Sequence, residues 1–148
     1  MLNFEYYNPT RIVFGKDRIK VLDRLVPAEA RVLVLYGGGS AEKHGTLDRV
    51  RQALGTRSVS CFGGIEPNPQ FTTLMRAVEV VRREHIDFLL AVGGGSVMDG
   101  TKFIALAAKH AGSGEEVLFS RSTPVRLSAA LPLGTVVTLP ATGSEMNS

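Results

Sequence analysis

Two apolar rhythms alternate along the chain. The continuous runs from Arg31 to Tyr36 and from Phe88 to Val92 read as strands buried on both faces. Spaced apolar positions read as helices. Ile19, Leu22 and Leu25 share a face over Lys16 to Leu25, and Pro27 stops that helix. Leu47, Val50 and Leu54 mark Ala41 to Leu54, with Gly45 breaking its start and Gly55 as its C-cap. Leu74, Val78 and Val81 mark Thr72 to His85, and Phe103, Ile104, Leu106 and Ala107 mark Ser96 to Lys109. Shorter strands are predicted at Ser58 to Phe62 and Thr135 to Leu139. At the start, Phe4 to Tyr7 and Arg11 to Phe14 flank Asn8-Pro9-Thr10, the pattern of a β-hairpin or a bent edge strand. Gly63 to Pro69 reads as a Gly/Pro loop, and from Ala111 to Ala130 the pattern dissolves into a mobile or variable connection.

Strand and helix alternating at this spacing predict an α/β, Rossmann-like fold. Its sheet is mostly parallel, with right-handed crossovers, helices on both faces and an N-terminal β-hairpin. One nucleotide-binding domain over residues 1–148 accommodates the whole pattern. In such sheets ligands sit beyond the carboxyl ends of the strands. Each glycine-rich stretch falls at one of those ends. The strongest is Gly93-Gly94-Gly95-Ser96, between an apolar run and an amphipathic one. It reads as a strand, a tight turn and a helix start capped by Ser96, where unpartnered N–H groups suit a phosphate. Tyr36-Gly37-Gly38-Gly39-Ser40 repeats the idea, so a ligand with more than one phosphate or ribose fits, such as a dinucleotide. The bland alternative is that glycines make the turns, Ser96 caps, and Asp99 complements the helix dipole.

Composition removes other classes. Hydrophobic residues are 44% and the formal net charge is +3, with no basic stripe to argue for nucleic acid. No apolar run reaches membrane-span length, and the N-terminus lacks the basic and apolar regions of a signal peptide. The single Cys61 forbids an internal disulfide and reads as a core residue. A cytoplasmic protein is expected. His44, His85 and His110 are spaced unlike metal ligands and read as surface residues. Gly95-x4-Gly100-Thr101-Lys102 imitates a P-loop with Thr and Lys in the wrong order. The G-x-G-x-x-G fingerprint fails at Glu42 in one turn and at Met98 in the other. Leu139 to Gly143 imitates a cell-wall sorting signal but lacks the tail such a signal needs.

Taken together, Gly93-Gly94-Gly95-Ser96-x-x-Asp99-x-x-Lys102 and Thr138-x-Pro140-Ala141-Thr142-Gly143-Ser144-Glu145 resemble the iron-containing alcohol dehydrogenase family. The likeness runs from Pro9-Thr10-Arg11-Ile12-Val13-Phe14-Gly15 onward. Tyr36 to Ser40 and Phe62 to Pro69 resemble its NADPH-dependent aldehyde reductase and butanol dehydrogenase branch. The family commonly has Ala-Gly where this chain has Pro140-Ala141.

The resemblance implies a cofactor site. Gly94, Gly95 and Ser96 would take the pyrophosphate, and Asp99 would stand near the nicotinamide. Asn68, Thr138 and Thr142 would line the rest, and Gly37, Gly38, Gly39 and Ser40 would face the adenine-side ribose. NAD-preferring members carry an acidic residue in that last turn. Here position 39 is glycine, which repels no 2′-phosphate, so NADP(H) is expected over NAD(H). Hydride transfer between the nicotinamide and a small alcohol or aldehyde is implied; the alternative is a stand-alone nucleotide-binding module without catalysis. The family's metal, iron or zinc, is held by an aspartate and three histidines of a helical domain, expected beyond Ser148. Residues 1–148 alone would then bind nucleotide without catalysing. A homodimer with the N-terminal hairpin at the interface is also implied. A flavodoxin-like or receiver domain would instead show acidic residues at the strand ends. Glycerol dehydrogenase or dehydroquinate synthase relatives share the plan, but the Gly37 turn and the Phe62 to Pro69 loop weigh against them.

Overall fold

A computed structural model describes residues 5, 7–119 and 129–147. A 3-10 turn, Arg18–Val21, runs into a single helical turn, α1 (Leu22–Leu25). Then follow β1 (Arg31–Gly37), α2 (Ser40–Lys43), α3 (Thr46–Leu54), β2 (Ser58–Ile65) and α4 (Phe71–Arg83). The order continues with β3 (Phe88–Gly93), α5 (Gly95–Lys109), α6 (Gly114–Leu118) and β4 (Leu133–Val137). The four strands form one parallel sheet in the order β2-β1-β3-β4.

The central pair carries the core. Val32, Leu33, Val34 and Leu35 of β1 and Leu89 to Val92 of β3 are all buried, because helices cover both faces. Val32, Val34, Leu90 and Val92 pack with Leu22, Leu47, Val50 and Leu54 on one side. Leu33, Leu35, Leu89 and Ala91 pack with Leu74, Val78, Val97 and Ile104 on the other. The expected Rossmann-like layering is therefore present, and Gly45 separates α2 from α3 as its position suggested.

Four expectations need correction. Residues 7–14 carry no strand, so the second arm of the hairpin is absent, and much of the first lies outside the described residues. Among the described residues Arg11 to Phe14 finds no partner strand, and Phe14 is 95% exposed; a lone hairpin has too little burial to hold itself. Strand β2 continues through Gly63 and Gly64 to Ile65, because β1 offers it a ladder up to Gly37. A bulge between Leu35 and Gly37 absorbs the change of register. The stretch after Ala111 is not patternless throughout. Ser113 caps α6 by accepting from the Glu116 N–H at 3.4 Å, and Val117 is buried. Residues 120–128 of that stretch lie outside the description. Strand β4 starts two residues earlier than expected and stops before Thr138.

One charged side chain fastens the α1 end of the molecule. The guanidinium of Arg57 donates to the carbonyls of Pro27 (2.9 Å), Leu54 (2.8 Å), Asp23 (2.6 Å) and Val26 (2.8 Å). Its side chain is only 7% exposed. These carbonyls lie at or just beyond the ends of α1 and α3, where helix termini leave acceptors without intrahelical donors. Arg57→Ala is expected to lower stability by roughly 2–3 kcal/mol, read as a shift of the denaturant unfolding midpoint. Arg57→Lys should recover little of it, since one ammonium cannot reach the same fan of acceptors.

Candidate cofactor site

The strand order reverses between β1 and β3, the switch point where a crevice opens beyond the carboxyl ends. The register brings the turns into one row. Tyr36 pairs with Val92, Gly37 with Ile65, and Gly93 with Val137. The predicted turns after β1, β2, β3 and β4 thus stand along one edge. The Thr138 N–H donates to Gly93 O at 3.0 Å, which carries the chain after β4 alongside the β3 turn.

Helix α5 begins one residue earlier than expected. Gly94 is its N-cap, with no side-chain cap, so Ser96 sits in the first turn rather than capping it. The N–H groups of Val97 and Met98 both reach Gly94 O, at 3.1 and 3.2 Å. Those of Gly95 and Ser96 belong to the first turn, which has no intrahelical acceptor. Gly95 is required by its surroundings: a Cβ there would stand 2.6 Å from Thr142 Oγ1 and 3.2 Å from Ser144 Oγ. The loop after β4 is thus laid directly on the helix start. The loop after β2 meets α5 too, since a Cβ at Gly100 would lie 3.6 Å from Pro69 Cγ.

A short polar chain sets the wall of this cleft. Ser144, 1% exposed, donates its hydroxyl to Asp99 Oδ2 at 3.2 Å. Its oxygen is 2.6 Å from Thr142 Oγ1. Because the Ser144 proton is committed to the carboxylate, Thr142 donates to Ser144 and keeps its own lone pairs for a ligand. Asp99 Oδ1 lies 3.5 Å from Lys102 Nζ.

The turn after β1 is more open. A Cβ at Gly38 would meet nothing within 4 Å. Gly39 has φ +23°, and a Cβ there would lie 3.7 Å from Lys43 Cε. Ser40 opens α2. Asn68 is exposed in the loop after β2 and holds φ 56°, a left-handed conformation that asparagine tolerates. The structure thus links Gly95, Asp99 and Thr142 through Ser144 and puts Gly37, Gly94 and Thr138 at adjoining strand ends, while Gly38 and Gly39 lie in the turn after β1 and Asn68 in the loop after β2. Ser144 was not among the predicted site residues. It stands in the Thr142-Gly143-Ser144-Glu145 turn, but nothing in its spacing shows that it would be buried.

Other side chains depart from expectation. Cys61 is exposed rather than core, and its sulfur accepts from Arg51 Nη2 at 3.3 Å. Among the described residues β2 is an edge strand, and its faces are covered less fully than those of β1 and β3. The Tyr36 phenol is pushed above its ordinary pKa, by burial first and then by the Glu42 carboxylate. His44 and His85 are exposed as expected, whereas His110 is half-buried with Nε2 2.7 Å from Glu116 Oε2. Among the described residues no group of three or more His, Cys, Asp or Glu could hold a metal ion. The donor set present here does not fit the family's metal. No described helix is long and apolar enough to cross a membrane.

A profile of iron-containing alcohol dehydrogenases matches residues 9–148. The chain belongs to the iron-containing alcohol dehydrogenase family. It is 52% identical over 147 residues to the NADPH-dependent aldehyde reductase YqhD of Escherichia coli K12, covering 99% of this chain and 38% of that protein. It is 44% identical over 151 residues to a probable NADH-dependent butanol dehydrogenase of Bacillus subtilis, covering 100% and 38%. The fold matches the crystal structure of YqhD with a TM-score of 0.91, over 98% of this chain and 37% of that one. A butanol dehydrogenase from Thermotoga maritima matches with a TM-score of 0.89 at 37% identity, over 98% and 37%. The chain therefore spans just over a third of the length of these relatives and corresponds to their N-terminal part.

The loop before α4 carries its own titrating group. Thr73 Oγ1 donates to Glu66 Oε1 at 2.7 Å, and the Gln70 N–H donates to Oε2 at 3.4 Å. These bonds, Thr73 foremost, hold the Glu66 carboxyl below its ordinary pKa. A depressed folded pKa means that the contribution is present above the unfolded value and is lost as pH falls through the folded one. Thr73→Val should raise the Glu66 pKa towards the ordinary carboxylate range, measured by carboxyl-carbon NMR titration. An unmoved titration would remove Thr73 from that role.

Proposed function

We propose that this chain is the NADP(H)-binding part of a metal-dependent alcohol dehydrogenase or aldehyde reductase. The observation that carries the reading is the α5 N-terminus at the switch point, where Gly95 lacks the Cβ that would collide with Thr142. Its N–H groups and Ser96 would receive the pyrophosphate beside Gly94. Thr142 would offer lone pairs to a donor such as a carboxamide, its proton being held by Ser144. Asp99 orients that pair of hydroxyls and stands on the nicotinamide side. Thr138 and Asn68 flank the cleft. Bound nicotinamide would supply or accept hydride, exchanged with a small alcohol or aldehyde.

The preference for NADP(H) over NAD(H) belongs to the turn after β1. Gly37, Gly38 and Gly39 place no acid there, and Lys43 lies beside Gly39, so a 2′-phosphate meets a cation rather than a carboxylate. The NADPH dependence named for the Escherichia coli relative agrees with this, while the Bacillus subtilis relative is named for NADH. The metal, iron or zinc, would be held outside the described residues, which offer no fitting donor set. We further read the molecule as a homodimer, on the strength of the exposed Ile12, Val13 and Phe14, which suit burial against a second copy. A cytoplasmic enzyme fits the exposed free thiol of Cys61, which suits a reducing compartment.

Calorimetric titration of the chain without metal should show NADPH binding well above NADH. Gly39→Asp should move the preference towards NADH by roughly tenfold or more, since a carboxylate there opposes the 2′-phosphate. An unchanged ratio would overturn the assignment of specificity to this turn. Gly95→Ala should weaken both cofactors by displacing Thr142 and Ser144; full binding by that variant would take the pyrophosphate away from α5.

A further inference from the structure

Lys102 lies outside the row of turns, three residues further along α5 than Asp99, yet it holds the far end of the loop that walls the cleft. Its Nζ donates to Asn147 O at 2.9 Å and also reaches Asn147 Oδ1. The same ammonium is 3.5 Å from Asp99 Oδ1, while Asp99 Oδ2 receives Ser144. Gly143 to Asn147 is otherwise a compact turn, with the Met146 and Asn147 N–H groups both on Gly143 O at 2.9 and 3.2 Å. Asn8 Nδ2 ties it once more, donating to Met146 O at 2.7 Å. The Lys102 side chain is 23% exposed, so the ammonium is neither free in solvent nor buried without partners.

We propose that Lys102 is a positioning residue of the nucleotide cleft, which clamps Asn147 and Asp99 together and thereby holds Thr142 and Ser144 against the start of α5. The proposal rests on the cofactor reading above. Lys102 does not touch the nucleotide in it. Three residues along a helix carry it about 4.5 Å down the axis from Asp99, away from the N-terminal groups. Its action is on geometry. One carboxylate oxygen is taken by the ammonium, the other is left to Ser144, and the rotor chain from Thr142 to Asp99 keeps one direction. At the same time the loop is pinned at Ser144 and Asn147, at two points of one helix face. Without the ammonium, the hydrogen bond left between this loop and α5 among the described residues is that of the Ser144 hydroxyl, and Asp99 could turn away from it.

The test uses Lys102→Met, which keeps the apolar stem, and Lys102→Arg, which keeps the charge and the reach. NADPH and adenosine 2′,5′-bisphosphate are titrated calorimetrically into the parent chain and both variants. Hydrogen exchange is followed at the Met146 and Asn147 amides, and circular dichroism checks the fold. Lys102→Met is expected to weaken NADPH by about five- to tenfold, the scale of losing a partly exposed charge-assisted hydrogen bond. Its affinity for the bisphosphate, which lacks the nicotinamide half and so does not reach the Thr142–Ser144–Asp99 wall, should change less than about twofold. The two amides should exchange faster, and Lys102→Arg should recover most of the NADPH affinity. Equal losses for both nucleotides, equal losses in both variants, or unaltered NADPH binding in Lys102→Met would each overturn the proposal. Absence of NADPH binding by the parent chain overturns the cofactor reading itself. That outcome is distinct from binding which Lys102→Met retains in full, which overturns this proposal alone.

Discussion

Everything at the cleft depends on the pairing of β1 with β3. Both strands are buried on both faces, and their register sets Tyr36 beside Val92, so the two glycine turns that follow leave the sheet at the same height. Parallel strands point the same way, and the order β2-β1-β3-β4 makes their crossovers depart in opposite directions. A crevice at that point is the geometric result. The apolar side chains of Val32 to Leu35 and Leu89 to Val92 therefore stabilise the fold and position the candidate site through the same contacts. A slip of one residue would repack both faces of a strand and take the two glycine turns out of line.

The second layer of organisation is polar and local. At Gly95 the missing Cβ admits Thr142 and Ser144 to the start of α5. Asp99, one turn on, accepts the hydrogen bond of the Ser144 hydroxyl, and Lys102 stands at the other oxygen of the carboxylate. Each of these groups is satisfied by its neighbour, and among the described residues no buried side-chain N or O lacks a partner. The cleft wall is thus preorganised without a ligand, so less ordering remains to be done when a nucleotide arrives.

Much of this was legible in the sequence, and the gaps have physical causes. The core strands and the three long helices, α3, α4 and α5, declare themselves because burial imposes a period that local sequence must obey, whereas Lys16 to Leu25, expected as one helix, is a 3-10 turn and a single helical turn. Strand ends do not. Gly63 and Gly64 have poor strand propensity, yet they extend β2 because β1 supplies the ladder. Arg11 to Phe14 has good propensity, yet makes no strand because no edge among the described residues receives it. Ser96 has the residue type of a cap, but the backbone turns one step earlier, at Gly94. Cys61 follows an apolar alternation and is still exposed, because the described residues cover β2 less fully than β1 and β3.

The sequence by itself determined the alternation of strand and helix, the positions of the glycine turns and the family, since these rest on residue type and short-range spacing. Glycine tolerance, apolar period and the Gly94-Gly95-Ser96 and Thr142-Gly143-Ser144 motifs are all properties of neighbours in the chain. Only the tertiary structure decided that Thr142 and Ser144 lie on Gly95, and that Lys102 closes on Asn147, 45 positions away. Contacts of that separation depend on strand order and on the path of a loop, and a single sequence carries no local signal of either.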